Sequence, residues 1–311
     1  MSDFLDLGRF DQTVMVFGGP YSNLQATRSL ADKALEYGIA NDHIICTGDL
    51  IAYCAEPQQT VDFIRHWGIY NVMGNCEESL ALGTEDCGCG FESGSVCDTL
   101  STSWYRHCLT HTDQDQRDWM ASLPRQIRFQ LMGRTFDIIH GGVSDISEFV
   151  FHSSDMEKKR KDIEFIQGDC VIGGHCGIPF GQEISGKYWL NAGVIGMPAN
   201  DGQTNGWYML LEPGTDDEGT PMIQVKWHPL HFDSQATIDA MDKAKLPTAY
   251  QQTLQNGLWP SLSVLPNSEV SQQGQALQLC DINIPSSGSM GIRPTPAHYE
   301  QADIRADLPL R

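Results

Sequence analysis

Three short apolar runs early in the chain each end in a glycine-flanked polar corner, and helix-patterned segments separate them. Residues 13–17 (Thr-Val-Met-Val-Phe) form a strand of fully buried type that ends in Gly18-Gly19-Pro20-Tyr21-Ser22-Asn23. Leu24, Ala26, Leu30, Ala34 and Leu35 then recur at helical spacing until Gly38 closes the run. Residues 43–46 are a second strand, ending in Thr47-Gly48-Asp49. Pro57 opens a helix that runs to Trp67 and is stopped by Gly68. Residues 70–73 are a third strand, ending in Gly74-Asn75-Cys76-Glu77. Strands that alternate with helices through short links make neighbouring parallel strands of an α/β domain.

The later chain is richer in hairpins. Residues 104–123 read as a helix ended by Pro124. Residues 127–131 and 135–139 flank Met132-Gly133-Arg134, a hairpin signal, and the second of these strands ends in His140-Gly141-Gly142. After a charged helix at 154–167, the apolar run Cys170-Val-Ile172 enters Gly173-Gly174-His175-Cys176-Gly177. A strand that runs into glycines presents its histidine at a sheet edge, on a loop free to approach a ligand. A hairpin at 183–190 and closing strands at 207–212 and 223–228 complete the pattern of a sheet sandwich flanked by helices. We expect one domain over 1–250, with an insert at 83–111 near the site that sets specificity. Residues 251–311 then form a C-terminal extension, partly disordered, whose beginning Leu258, Trp259, Leu262 and Leu265 pin to the body.

The charge balance narrows the partners. Twenty Lys and Arg against 40 Asp and Glu give a net charge of −20, which repels nucleic acid and anionic membrane. No basic segment followed by an apolar run opens the chain, and no stretch approaches the roughly 18 apolar residues of a bilayer span. Ten cysteines in a leaderless chain point to thiols in the cytoplasm. Cys87-x-Cys89 with Cys97 lacks the second C-x-x-C of a zinc ribbon, so these too read as free thiols. Trp67, Trp104, Tyr105 and Trp119 read as packing residues, and His107, His111 and His152 as solvated. No sequence feature specifies an oligomeric state.

Four strand ends carry a polar residue beside a glycine: Asp49, Asn75, His140 and His175. Singly, each has a plainer reading, the Gly-Asp as a turn and the histidines as hydrogen-bonded structural residues. Together they are an oxygen and nitrogen ligand set suited to a borderline divalent metal such as Mn, Fe or Zn.

The order of these corners resembles that of the calcineurin-like metallophosphoesterases. The family pattern runs Asp-x-His-(Gly/Ser)-Asn, Gly-Asp, Gly-Asn-His-(Asp/Glu), His-Gly, Gly-His-x-His-x-Pro-Phe and Asn-Pro-Gly-Ser-x-Gly-x-Pro. In the same order this chain carries Gly19-Pro-Tyr21-Ser22-Asn23, Gly48-Asp49, Gly74-Asn75-Cys76-Glu77 and His140-Gly141. Gly174-His175-Cys176-Gly177-Ile-Pro-Phe180 and Asn191-Ala-Gly-Val-Ile-Gly-Met-Pro198 follow, so the likeness spans residues 14–211. It implies a four-layer α/β/β/α sandwich of two mixed β sheets flanked by helices. It also implies two metal positions that share Asp49. One retains its ligands in full: Asp49, Asn75, His140 and His175. The other falls on Gly19, Tyr21 and Gly177, where only the Tyr21 phenol could bind. The family's transition-state histidine falls on Cys76, and a thiol of ordinary pKa, about 8.5, is a poor acid at neutral pH.

The resemblance implies a hydrolase of a phosphate mono- or diester that works through the residual metal position. It would use one divalent ion (Mn, Fe or Zn) and a phosphorylated small-molecule substrate. Tyr21, Asn23, Cys76 and Glu77 are then the candidate catalytic groups. Two alternatives stand beside this one. The chain is a catalytically silent relative that binds a metal, a ligand or a partner, or thiolates from Cys76 and Cys176 have repurposed the site.

Overall fold

A computed structural model of the chain describes residues 3–287. Its first half contains β1 (Phe4–Phe10), β2 (Val14–Phe17), α1 (Leu24–Glu36), β3 (Ile44–Cys46), α2 (Pro57–Trp67), β4 (Tyr70–Asn71), α3 (Asn75–Leu82), α4 (Val96–His111), α5 (Gln114–Met120), β5 (Gln126–Leu131) and β6 (Arg134–Ile139). Then follow α6 (Met156–Ile166), β7 (Cys170–Gly173), β8 (Phe180–Ile184), β9 (Lys187–Asn191), β10 (Gly206–Thr215), β11 (Pro221–Leu230), α7 (Ser234–Lys243), α8 (Thr248–Asn256), α9 (Asn267–Val270) and β12 (Ile282–Pro285).

The strands form two six-stranded sheets, ordered β1-β5-β6-β7-β9-β8 and β12-β11-β10-β2-β3-β4. Both are mixed. β2, β3 and β4 run parallel, as do β6, β7 and β9, while β5/β6, β8/β9, β2/β10, β10/β11 and β11/β12 are antiparallel. The period of two along each strand explains the layers. Val14, Val16 and Ile45 face Ile138, Ile172 and Leu190 in the core between the sheets, while Met15, Phe17, Ile44 and Cys46 face a second core with α1, α2 and α4. On the far side Ile139, Val171 and Trp189 pack with Ile163 of α6. The result is a sandwich of two mixed sheets flanked by helices, the expected architecture.

Several boundaries differ from the expectations. β1 pairs in parallel with β5, yet all but one of its residues are exposed or half-buried, so it carries no apolar run. The helix expected over 104–123 is two helices. α4 starts earlier because the Ser95 side chain accepts the Asp98 N–H, and α5 restarts because Asp113 caps it through the Gln116 N–H. Trp104 and Tyr105 are buried, and Trp67 and Trp119 pack against the same core. His111 and His152 are exposed, whereas His107 is half-buried with Nε2 at the Ala55 carbonyl (2.9 Å). Past residue 250 the described residues include α8, α9 and β12. Trp259, Leu262 and Leu265 join the outer core, and β12 adds an edge strand whose Ile284 is fully buried. The rest of the expected extension lies outside the described residues. Among those described, no helix is long and apolar enough to cross a membrane.

Candidate metal centre

Parallel strands put their carboxyl ends on one edge, and here two such edges meet. Asp49 follows β3, Asn75 opens α3 just after β4, His140 follows β6 and His175 lies two residues past β7. Glycine lets these corners touch. Gly48 has φ +97°, and a Cβ on Gly74 would stand 2.5 Å from both the Asp49 backbone nitrogen and its Oδ1. Asp49 itself is left-handed (φ +58°), a conformation that Asp tolerates better than most residues. The two histidine corners are tied together by the His140 carbonyl, which accepts from the Gly174 and His175 N–H groups at 2.8 and 2.9 Å.

The four side chains converge on one atom. His140 Nε2 lies 3.0 Å from Asn75 Oδ1, 3.0 Å from His175 Nδ1 and 3.4 Å from Asp49 Oδ2. All four residues are buried. Among the described residues, Asp49, His140 and His175 form the group of ionisable side chains whose ligand atoms all lie within 4.8 Å of one another. The orientation of the set is fixed from outside. His140 Nδ1 lies 2.7 Å from the Thr47 carbonyl, which can only accept, so Nδ1 carries a proton and donates it. That leaves the Nε2 lone pair facing inward. Asn75 Nδ2 donates to the Cys87 carbonyl at 2.9 Å, which turns Oδ1 inward as well. Oxygen and nitrogen acceptors thus gather in a buried space, an arrangement that a proton carried on His175 Nδ1 or a bound cation satisfies.

In the protein alone, the surroundings favour a proton on His140 more than on a free imidazole. Burial opposes the His140 imidazolium, but the Asp49 charge, its hydrogen bond and the Thr47 carbonyl raise His140 above its ordinary value. Burial likewise opposes the Asp49 carboxylate, and the two histidines outweigh it and hold Asp49 below its usual range. His175 is pushed down to about 3 by burial and by the neighbouring His140. Its Nε2 makes no hydrogen bond of normal geometry, although the Cys89 and Ser147 backbones oppose the downward shift slightly. A divalent metal meets the same demand as the proton, so the donor set fits such an ion.

The other sequence candidates lie around this cluster. Both Glu77 oxygens receive backbone N–H groups, from Asp49 and Gly74 on Oε2 (2.8 and 2.9 Å) and from Leu50 and Ile51 on Oε1 (2.8 and 3.4 Å). Burial and the Asp49 charge raise its pKa to about 7. Asn23 caps α1 through the Ala26 N–H, accepts from Thr237 Oγ1 and donates to the Gly196 carbonyl. Its side-chain amide therefore points away from the cluster. Cys76 donates its N–H to Asp49 Oδ1 (3.3 Å), and its thiol meets Asn75 on the amide side, at Nδ2 (3.5 Å). Burial and then Asp49 push the Cys76 thiol well up, and the same two causes push the Tyr21 phenol up. Cys176 Sγ is turned to Asn191 Nδ2 (3.2 Å) and the Ile178 carbonyl.

Apolar atoms surround Gly19 and Gly177, where the ligands of the second metal position are lost. A Cβ on Gly19 would stand 2.6 Å from both the Tyr21 ring and Val194. One on Gly177 would meet Trp259 and Val194 at 3.6 Å. An apolar cleft of about 70 Å³ opens here, with His175, Cys176 and Gly177 in its wall. The expectation of free thiols in the insert needs correction: Cys87 and Cys89 are joined in a disulfide, while Cys97 stays a thiol. Two backbone groups essential to the cluster, the Thr47 and Cys87 carbonyls, escape sequence reading because a carbonyl leaves no residue signature. Phe149, whose ring centroid stands 4.3 Å from that of His175, also carried no motif.

A sequence profile of the calcineurin-like phosphoesterase superfamily domain matches residues 22–216. An uncharacterized protein of Methanocaldococcus jannaschii is 24% identical over 216 residues, 64% of this chain and 82% of that protein. The crystal structure of a metallophosphoesterase from Sphaerobacter thermophilus superposes with a TM-score of 0.59 at 19% identity, covering 80% of this chain and all of the other. That of a hypothetical protein from Pyrococcus horikoshii gives 0.65 at 13% identity, with 79% and 99% covered. These two likenesses concern the fold.

Proposed function

This chain belongs to the calcineurin-like phosphoesterase superfamily, and on that premise we propose that it is a metal-dependent hydrolase of a phosphate mono- or diester. Asp49, Asn75, His140 and His175 would hold a single divalent ion, Mn, Fe or Zn. The carrying observation is the inward convergence of Asp49 Oδ2, Asn75 Oδ1 and His175 Nδ1 on His140 Nε2. When bound, such an ion supplies Lewis-acid polarisation of a phosphoryl oxygen and lowers the pKa of a coordinated water.

The residues of the chain hold this arrangement ready. Thr47 fixes the His140 tautomer and the Cys87 carbonyl fixes the Asn75 amide. Glu77 gathers the backbone of both strand ends around Asp49 and acts as a positioning residue, and Asn23 positions the 18–23 loop through α1 and Gly196. Tyr21 and Cys76 remain neutral, Tyr21 as a wall of the cleft and Cys76 as an N–H donor to Asp49.

Elemental analysis of the purified chain, paired with hydrolysis of bis-p-nitrophenyl phosphate and a panel of monoesters in added Mn or Fe, tests this reading. We expect metal-dependent turnover that Asp49→Ala and His175→Ala both reduce by at least about a hundredfold. Stoichiometric metal without turnover of any ester would instead support a silent, metal-binding relative. The apolar filling around Gly19 and Gly177 favours that second reading.

A further inference from the structure

The cleft beside the cluster has a chemistry of its own. Its walls include the rings of Tyr21, Phe91, Phe149 and Trp259 and the Val194 side chain, and His175 is where it meets the cluster. Among the described residues no Lys, Arg, Asp or Glu lines it. Its polar lining residues are tyrosines, Thr253, Ser261 and His175, so it offers a polyphosphate no cationic side chain to offset the lost water contacts. A neutral flat ring would bury apolar surface against other rings. The Trp259 wall is anchored: Nε1 donates to the Pro198 carbonyl and its backbone N–H to Asn200 Oδ1, both at 2.8 Å. The apolar atoms around Gly19 and Gly177, where the sequence comparison would place a second metal, belong to this cleft.

We propose that the cleft receives the aromatic leaving group of an aryl phosphate ester whose phosphoryl group lies at the metal cluster; the substrate assignment rests on the hydrolase reading above. In the reaction, water oxygen bonds to phosphorus, the phosphorus–aryl oxygen bond breaks, and phosphate and a phenol leave. The proton taken up by the phenol oxygen comes from the water. The absence of a carboxyl or amine in the cleft suits this class. An alkoxide needs a proton as it departs, whereas an aryl oxygen, with a pKa of about 10 like that of tyrosine, departs without one.

The test compares kcat/KM for phenyl phosphate and ethyl phosphate, using the full chain with added Mn, in wild type and in Trp259→Ala and Phe91→Ala. A second arm measures binding of phenol to the metal-free chain, through the NMR shift of the Trp259 indole N–H. We expect a phenyl-to-ethyl ratio that at least one variant lowers by about tenfold, and a phenol-dependent shift at Trp259. Turnover of both esters with a ratio that neither variant changes overturns the cleft assignment and leaves the hydrolase reading intact. No turnover of any ester, with phenol still shifting Trp259, sinks the hydrolase reading and keeps the cleft as an aromatic-binding site. Neither turnover nor binding removes both.

Discussion

His140 turns its two ring nitrogens to opposite tasks. Nδ1 is committed to the Thr47 carbonyl, so Nε2 alone can accept a proton or a metal. Asp49 and Thr47 raise its pKa, so below that raised value a metal must displace a proton from Nε2. Metal affinity is therefore expected to climb as pH rises toward the raised His140 value and to level off above it. One proton leaves per ion bound, which calorimetry in buffers of different ionisation enthalpy measures directly. The sign for folding is the reverse. Stability from a His with a raised pKa is full below its unfolded value and is lost as pH rises through the folded one, so the metal-free chain weakens in alkali. Asn75→Leu removes a ligand oxygen and frees the Cys87 carbonyl. Competition against a chelating dye is expected to show at least about tenfold weaker metal binding for this variant, with the fold retained by circular dichroism.

At the scale of elements, the site depends on corners more than on strands. Glu77 of α3 accepts backbone N–H groups from residues 49, 50, 51 and 74, so Glu77→Ala leaves buried donors unpaired. We expect a loss of about 3 kcal/mol, seen as a lower urea midpoint at unchanged slope. The Cys87–Cys89 disulfide closes the loop whose Cys87 carbonyl orients Asn75, with Cys89 Sγ 3.4 Å from the same Nδ2. Reduction, or the Cys87→Ser/Cys89→Ser pair, is expected to weaken metal binding by up to about tenfold without unfolding the chain. An unchanged titration would show that the loop holds its shape without the bond. The corners were legible in the sequence because glycine flanks Asp49, Asn75, His140 and His175, and glycine is what close approach demands. The early strands were legible from their unbroken apolar runs, and the two hairpins from Met132-Gly133 and Ser185-Gly186, all four residues with positive φ. β1 and β12 were not, since each presents few buried side chains and gains its place through a partner strand. The disulfide was missed because two cysteines around one glycine look the same reduced or oxidised.

At the scale of the molecule, two sheets meet so that parallel strands of both bring the proposed ligands to one edge, β3 and β4 from one and β6 and β7 from the other. The Asp49 and Asn75 corners cannot separate from the histidine corners without opening the interface between the sheets. Binding a metal should therefore stabilise the whole fold and raise its unfolding temperature with metal concentration. The C-terminal segment belongs to this unit as far as it is described. Truncation after Asp281 removes Ile284 from the inter-sheet core and is expected to cost about 2 kcal/mol by thermal or urea unfolding. The proposed site is a single metal position, at Asp49, Asn75, His140 and His175. Elemental analysis after equilibration with Mn or Zn and removal of free ion, done on wild type and on His140→Ala, tests it most directly. One equivalent per wild-type chain and almost none in the variant are expected. Two equivalents in the wild type, or one that survives His140→Ala, would contradict it.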